Sequence, residues 1–303
     1  MEKLSDLPLD DQIFNWFVNY FVGHSHATKF QGTTSGSAPI NASVFQGSAI
    51  GPPMYVVNCS DLKSVSDINF IDKYADDTYL LIPSSNEHTL NLELQSIESW
   101  ASANNLKLNR KKSQEMILYS NPKTGKISDS IPIVNDIGRV KTLKILGVTL
   151  DNNLSVSQHI TCVTQSAAQA MYALKLLKSR GVDENTLVVV FTTLVISRLT
   201  YASPAWLGFA TKSDKLALEA VLRKAIRWGY YSAGQPSLEM IFKKSDDKLF
   251  KTILAENSHV LHQFLPPENT HGYGLRARAH NRQLPKKSTL SQKNFISRLL
   301  YEY

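Results

Sequence analysis

Cysteine is scarce in this chain of 303 residues: only Cys59 and Cys162 occur, far apart in sequence. Two isolated thiols exclude a disulfide-stapled scaffold and argue against a structural zinc site. They fit buried thiols in a reducing compartment. No signal peptide is recognisable, and no apolar run reads as long enough to span a bilayer. A membrane partner is therefore not expected; the location is left open, with an intracellular place, nucleus or cytoplasm, as the expectation. Acidic residues are also missing from one region. Between His271 and Arg298 lie Arg276, Arg278, Arg282, Lys286, Lys287, Lys293 and Arg298 without a single Asp or Glu. The formal net charge is +7, and the rest of the chain is neutral, so the whole excess sits in this tail. Clustered bases without acids form an electrostatic footprint for phosphate backbones. A solvated tail with no fixed ligand explains the same composition.

What the chain does contain is a paired acid. Asp76 and Asp77 follow Tyr74-Ala75 and stand between Ile68, Phe70, Ile71 and the run Thr78-Tyr79-Leu80-Leu81-Ile82. Both flanks are aromatic and β-branched, so the segment reads as a hairpin with an acidic tip. Acids on a stiff turn suit hard divalent cations, although Asp is also an ordinary turn residue. Upstream, Gln46-Gly47-Ser48-Ala49-Ile50-Gly51-Pro52 runs from a polar loop into a helix with Pro at its start. Glycines there let the backbone approach a ligand closely. Downstream, Lys107, Arg110, Lys111 and Lys112 form a second basic cluster within Asn104–Ser113. It reads either as a phosphate contact or as a plain polar connection.

The ordered pair of strings, Gln-Gly-Ser-x-x-Gly-Pro and then Tyr-Ala-Asp-Asp, resembles the palm of reverse transcriptases, most closely those of non-LTR (LINE-type) retrotransposons. Leu106-Lys107-Leu108-Asn109-Arg110-Lys111-Lys112-Ser113 resembles the family's next palm motif, and Leu146-Gly147-Val148 resembles its primer-grip turn. Leu199-Thr200-Tyr201-Ala202-Ser203-Pro204-Ala205-Trp206 and Gly274–Asn281 resemble strings from the helical region and the end of such polyproteins. The resemblance implies metal binding and catalysis at Asp76 and Asp77, nucleotide contacts from Gln46, Gly47 and Lys112, and primer contacts from Leu146 and Gly147. It also implies nucleic-acid contacts from Lys107, Arg110, Lys111, Arg276, Arg278, Arg282, Lys286 and Lys287. The partners implied are an RNA template, a DNA primer and dNTPs, with Mg2+ or Mn2+ as cofactor.

The family's palm uses a third carboxylate from an upstream Phe/Tyr-x-Asp-x-x-Lys-Ala-Phe-Asp-like strand, and no such string occurs here. Asp10 and Asp11 precede the amphipathic set Ile13, Phe14, Trp16, Phe17 and Tyr20, where acids serve as cap and first-turn residues. Two carboxylates would hold Mg2+ weakly, since it sheds its water reluctantly. The expectation is a polymerase palm and thumb part truncated at its amino end and inactive alone. The alternative is a non-catalytic nucleic-acid-binding remnant.

Periodicity predicts an α+β fold: an antiparallel palm sheet with helices on one face over residues 1–152, then a helical thumb-like region over 153–265. Helices are expected over 11–22, 86–104, 156–177, 185–201 and 214–228. Residues 266–303 are expected to form a poorly ordered basic tail.

Overall fold

A computed structural model of the chain describes residues 2–40, 47–119, 131–232, 234–269 and 280–303. It divides into two compact units, Met1–Arg110 and Lys111–Tyr303.

The first unit opens with helices α1 (Glu2–Ser5) and α2 (Asp11–Phe21). Asp10 is the N-cap of α2, its carboxylate accepting the Gln12 N–H, so these acids cap as expected. Four short strands follow: β1 (Ser25–His26) pairs with β4 (Ala38–Pro39), and β2 (Lys29–Phe30) with β3 (Thr33–Thr34). The β2–β3 turn is Gln31-Gly32, both at positive φ. Helix α3 (Gly51–Asn58) carries Pro52 and Pro53 in its first turn, where a missing N–H costs nothing. The acidic hairpin is β5 (Phe70–Tyr74) against β6 (Asp77–Leu81), and a 3₁₀ stretch, Ser84–Thr89, leads into α4 (Leu90–Ala103). Lys3 ties these helices together. Its Nζ donates to the Asn58 carbonyl (2.6 Å), Asp61 Oδ1 (2.7 Å) and Asn104 Oδ1 (2.9 Å), and it lies over the Trp100 ring.

The second unit begins with β7 (Gln114–Glu115) and β8 (Gly138–Arg139), which pair in parallel, and the antiparallel hairpin β9 (Thr142–Ile145) and β10 (Val148–Asp151). Helices dominate thereafter: α5 (Ser157–Ser179), α6 (Glu184–Phe191), a π-helical turn Thr192–Ile196, α7 (Ser197–Thr200), α8 (Ser203–Trp206), α9 (Lys212–Trp228), α10 (Leu238–Ala255) and α11 (Phe295–Glu302). The main core draws Ile160, Val163, Ala167, Met171 and Leu174 from one stripe of α5, at the three- and four-residue spacing read from the sequence. Leu187, Phe191, Val195 and Leu199 face them, with Trp206 fully buried. Thr211 and Asp214 form a capping box on α9, and the Asp214 carboxylate also accepts from the Ser157 hydroxyl, pinning the start of α5 to the start of α9.

The α+β class holds, but three expectations are corrected. Among the described residues the strands do not form one antiparallel sheet; they pair as five two-stranded ladders, one of them parallel. The strands are too short to extend a ladder. After Glu115 the chain leaves β7, and the Tyr119 N–H turns to the Asn152 carbonyl instead. The tail is not uniformly unstructured: α11 buries Leu299 and Leu300 against Phe250 of α10. Third, Glu184–Phe209 is long and apolar enough to cross a bilayer by length and composition. Leu187, Phe191, Val195, Leu199 and Trp206 of this stretch belong to the core, whereas Val189 and Leu194 are exposed.

Candidate active site

The acidic hairpin keeps its strands in register from Phe70↔Leu81 to Tyr74↔Asp77, leaving Ala75-Asp76 as the two-residue turn. Ala75 has φ 51, in the left-handed region that a non-glycine residue occupies at a cost of about 1 kcal/mol. Such strain persists only where the surroundings impose it. Asp76 and Asp77 are exposed at the tip, and the stem is anchored from two sides.

The first anchor is α3. Lys73 on β5 donates from Nζ to the Cys59 and Leu62 carbonyls, at and just beyond the C-terminal end of that helix, where a cation meets the negative end of the dipole. The Ser48 hydroxyl accepts the Gly51 N–H at 3.0 Å, tying the Gly47-Ser48 loop to the helix start. The helix lies close to the acids. Burial, then a hydrogen bond and charge at Cys59, then the Asp76 carboxylate, push the Tyr55 phenol up to about 12.

The second anchor is a buried polar network. The Glu93 carboxylate of α4, fully inaccessible to solvent, accepts from the backbone N–H groups of Val65 and Ser66 (both 2.9 Å) and from Asn69 Nδ2 (2.7 Å). Asn86 Nδ2 donates to Asn69 Oδ1 at 2.8 Å, so the residue immediately before β5 is held from both α4 and the 3₁₀ stretch. Burial by itself raises the Glu93 pKa. The backbone and amide donors outweigh it and hold the carboxyl below its ordinary value of 4.5.

A lowered carboxylate contributes stability above its unfolded pKa, and that stability is lost as the pH falls through the folded one. Protection of the Val65 and Ser66 amides against hydrogen exchange is therefore expected to collapse below about pH 4. Glu93→Gln should lower that protection at neutral pH by about 1–3 kcal/mol and flatten its acid dependence. An unchanged pH profile in the variant would remove Glu93 from this role.

In the second unit, Leu146-Gly147 is the two-residue turn of β9–β10, both residues at positive φ (46° and 92°) and closed by the Ile145↔Val148 pair. This is the backbone of a primed hairpin turn, matched to strand twist. The Leu146 carbonyl accepts from the Tyr201 hydroxyl at 3.0 Å.

The cations divide into two groups. Arg110 grips Glu98 of α4 through two guanidinium nitrogens, and this lowers the Glu98 carboxyl pKa. Arg282 reaches Glu268 at 3.4 Å with its side chain largely covered. Both thus have a carboxylate partner within the chain. Lys107, Lys111, Lys112 and Lys286 are exposed, and Lys287 is exposed with its Nζ over the Tyr301 ring at 4.5 Å. Gln46, Arg276 and Arg278 lie outside the described residues. Sequence reasoning did not single out Tyr55, Lys73 or Glu93, because nothing local marks them, and it met Tyr201 only within the Leu199–Trp206 string without a role of its own. It also passed over an exposed stripe on α10, formed by Lys243, Lys244, Lys248 and Lys251 around Asp247. Among the described residues no group of three or more His, Cys, Asp or Glu could hold a metal ion. Asp76 and Asp77 are the hard oxygen donors a divalent ion of this kind takes, and they make up part of a ligand set.

An anchored Asp-Asp hairpin beside a proline-started helix in an α+β unit is the setting in which the family likeness can be stated. Residues 1–150 match the family model described as reverse transcriptase (RNA-dependent DNA polymerase), and over those residues the chain belongs to that family. The non-LTR branch follows from the relatives. The RNA-directed DNA polymerase from mobile element jockey of Drosophila melanogaster is 34% identical over 150 residues, covering 45% of this chain and 16% of the relative. The probable RNA-directed DNA polymerase from transposon X-element of the same fly is 25% identical over 227 residues, 71% of this chain and 24% of the relative. That from transposon BS, also of this fly, is 28% identical over 211 residues, 62% and 22% respectively. The chain thus spans about a quarter or less of the curated relatives it matches.

Proposed function

We propose that this chain is the palm (residues 1–152) and thumb-like part (153–265) of a polymerase that copies an RNA template into DNA from a DNA primer. The observation that carries the reading is the anchored hairpin. Lys73 and the Glu93 network hold its stem, so the Asp76 and Asp77 carboxylates are presented on a fixed, exposed tip within the electrostatic reach of Tyr55 on α3. A Mg2+ or Mn2+ ion held there, with Asp76 the main contact and Asp77 the lesser, would activate a primer 3′ hydroxyl and neutralise the triphosphate. Gln46, Gly47 and Lys112 are assigned to the incoming dNTP, and Leu146 and Gly147 to the primer. Fixed carboxylates lower the reorganisation needed when charge develops. The sequence holds no third palm carboxylate, so activity is expected only when an Asp-bearing strand is supplied.

The test is Mg2+- or Mn2+-dependent extension of a DNA primer on an RNA template. It is run with the chain alone and with the chain joined to a relative's preceding Asp-bearing segment. Extension that appears with the joined segment and falls by at least ~100-fold in Asp76→Asn is the expected result. Equal extension by Asp76→Asn would remove that residue from catalysis. No extension in either form, with salt-dependent binding of RNA–DNA duplex retained, would favour the non-catalytic binding reading.

A further inference from the structure

The second unit carries an apolar cleft with a row of lysines along one edge. Helix α10 turns Leu238, Phe242, Asp246, Phe250 and Ile253 inward. Its other side faces water and carries Lys243, Lys244, Lys248 and Lys251, all exposed. Positions 244, 248 and 251 recur at four- and three-residue spacing, so their ammonium groups share one stripe about 10 Å long. Asp247 is the one acid among them, which leaves the stripe strongly positive. Arg110, Arg282 and Arg298 each meet a carboxylate in the fold, whereas among the described residues these four lysines form no ion pair.

The cleft lies between α8 and α10. Ala202, Pro204 and Ala205 form one wall, Leu249 and Thr252 the other, and Lys248 stands at the edge shared with the lysine row. Its volume is about 430 Å³, inside the ~300–1,000 Å³ range of ligand sites. Both walls rest on the core, because Trp206 of α8 packs edge-on against Phe242 of α10 with ring centroids 5.9 Å apart. Ala202 enters α8 at φ 49, a left-handed conformation that persists in alanine only where the surroundings impose it. The first wall is therefore fixed in place.

We propose that the cleft and its lysine edge form a docking surface for an acidic amphipathic protein segment. Asp or Glu side chains of that segment lie over Lys244, Lys248 and Lys251, and an aliphatic side chain seats between Pro204 and Leu249. Charge complementarity sets the sign of the partner. The cleft sets the second requirement, because burying aliphatic surface adds affinity that charge on an exposed rim does not supply. Apolar anchors laid into a groove from one face of a helix are a common mode of peptide recognition. Nucleic acid fits the lysines and not the cleft. A single strand binds by stacking its bases on aromatic rings, and among the described residues no aromatic side chain lines these walls. Arginine, whose planar fork matches phosphate, is absent from the stripe. Nothing in this surface depends on polymerase chemistry.

The test is fluorescence anisotropy of a labelled peptide, Glu-Glu-Leu-Glu-Glu-Leu-Leu-Glu-Glu-Leu, titrated with the full chain. Its leucines fall on one helical face. The comparison probes are the same peptide with serine for leucine, the same with lysine for glutamate, and single-stranded poly(U) RNA. The first peptide should bind most tightly, weaken as salt rises, and lose about tenfold when serine replaces leucine. Two variants at exposed positions localise the contact. Lys244→Glu combined with Lys248→Glu reverses the edge, and Ala205→Glu sets a charge in the mouth of the cleft. Each should cost about tenfold in peptide affinity while the melting temperature holds. No binding, or equal affinity for the leucine and serine peptides, would overturn the proposal. Peptide binding retained in both variants would place its site elsewhere and overturn it too. Tighter binding of poly(U), lost on lysine reversal and indifferent to Ala205→Glu, would make the stripe a phosphate track instead.

Discussion

Arg298→Ala is expected to destabilise the second unit by about 3–5 kcal/mol, the cost of stranding one partner of a buried ion pair. Arg298 Nη1 meets Asp246 Oδ2 at 2.8 Å, joining α11 to α10. The Asp246 side chain is only 5% exposed and that of Arg298 19%, so the carboxylate has the poorer access to water once its cation is gone. The reverse change, Asp246→Ala, should cost less, because Arg298 still has Glu302 at 3.7 Å and some solvent. The pair is imperfect: Asp246 Oδ1 and Arg298 Nε and Nη2 are buried without a hydrogen-bond partner. Replacing both residues at once with leucine and methionine should therefore be close to neutral. Urea denaturation of the parent, Arg298→Ala, Asp246→Ala and the double alanine variant closes the cycle. Additive losses in the double variant would show that the two side chains do not form a coupled pair.

The second large effect is expected at Gly208. A Cβ added there would lie 2.0 Å from the Lys293 carbonyl oxygen and 3.0 Å from its carbon, a backbone that cannot swing aside as a side chain can. Gly208→Ala should cost at least the upper end of about 1–3 kcal/mol, by driving the segment before α11 off the 3₁₀ turn Leu207–Phe209. Loss of exchange protection in Phe295–Glu302, with α5 protected as before, is the expected signature. A variant as stable as the parent would mean that the Lys293 backbone does not sit there. Both predictions treat the C-terminal segment as part of the fold. Deleting residues 271–303 would uncover Phe250 as well as remove charge, so it does not isolate the role of the basic tail.

Much of the local structure was legible in residue order. Alternating aromatic and β-branched residues around two aspartates described the β5–β6 hairpin, and Asp10 before an amphipathic stretch described the α2 cap. Three- and four-residue spacing described the buried stripe of α5. These features depend on neighbours within one turn or one strand pair, and a sequence lists such neighbours directly. The place of the acidic turn was likewise readable, because it falls between two aromatic and β-branched runs that pair as strands.

Partner choice was not readable, because it is set by residues far apart in the chain. Glu93 looks like any acid on a polar helix face, and only folding brings the Val65 and Ser66 amides to it from almost thirty residues away. Arg110 and Arg282 count as free positive charge in a composition, yet folding gives each a carboxylate partner. Tyr201 and Leu146 are separated by 55 residues and meet through one hydrogen bond. Strand order followed the same rule: residue pattern marks where a strand can form, whereas pairing into five small ladders depends on which backbone donors the rest of the fold leaves available. Composition and local pattern specified the elements and the place of the acidic tip. Tertiary packing decided which side chains hold that tip and the Leu146-Gly147 turn in place, because hydrogen bonds and ion pairs act across space and carry no signature along the chain.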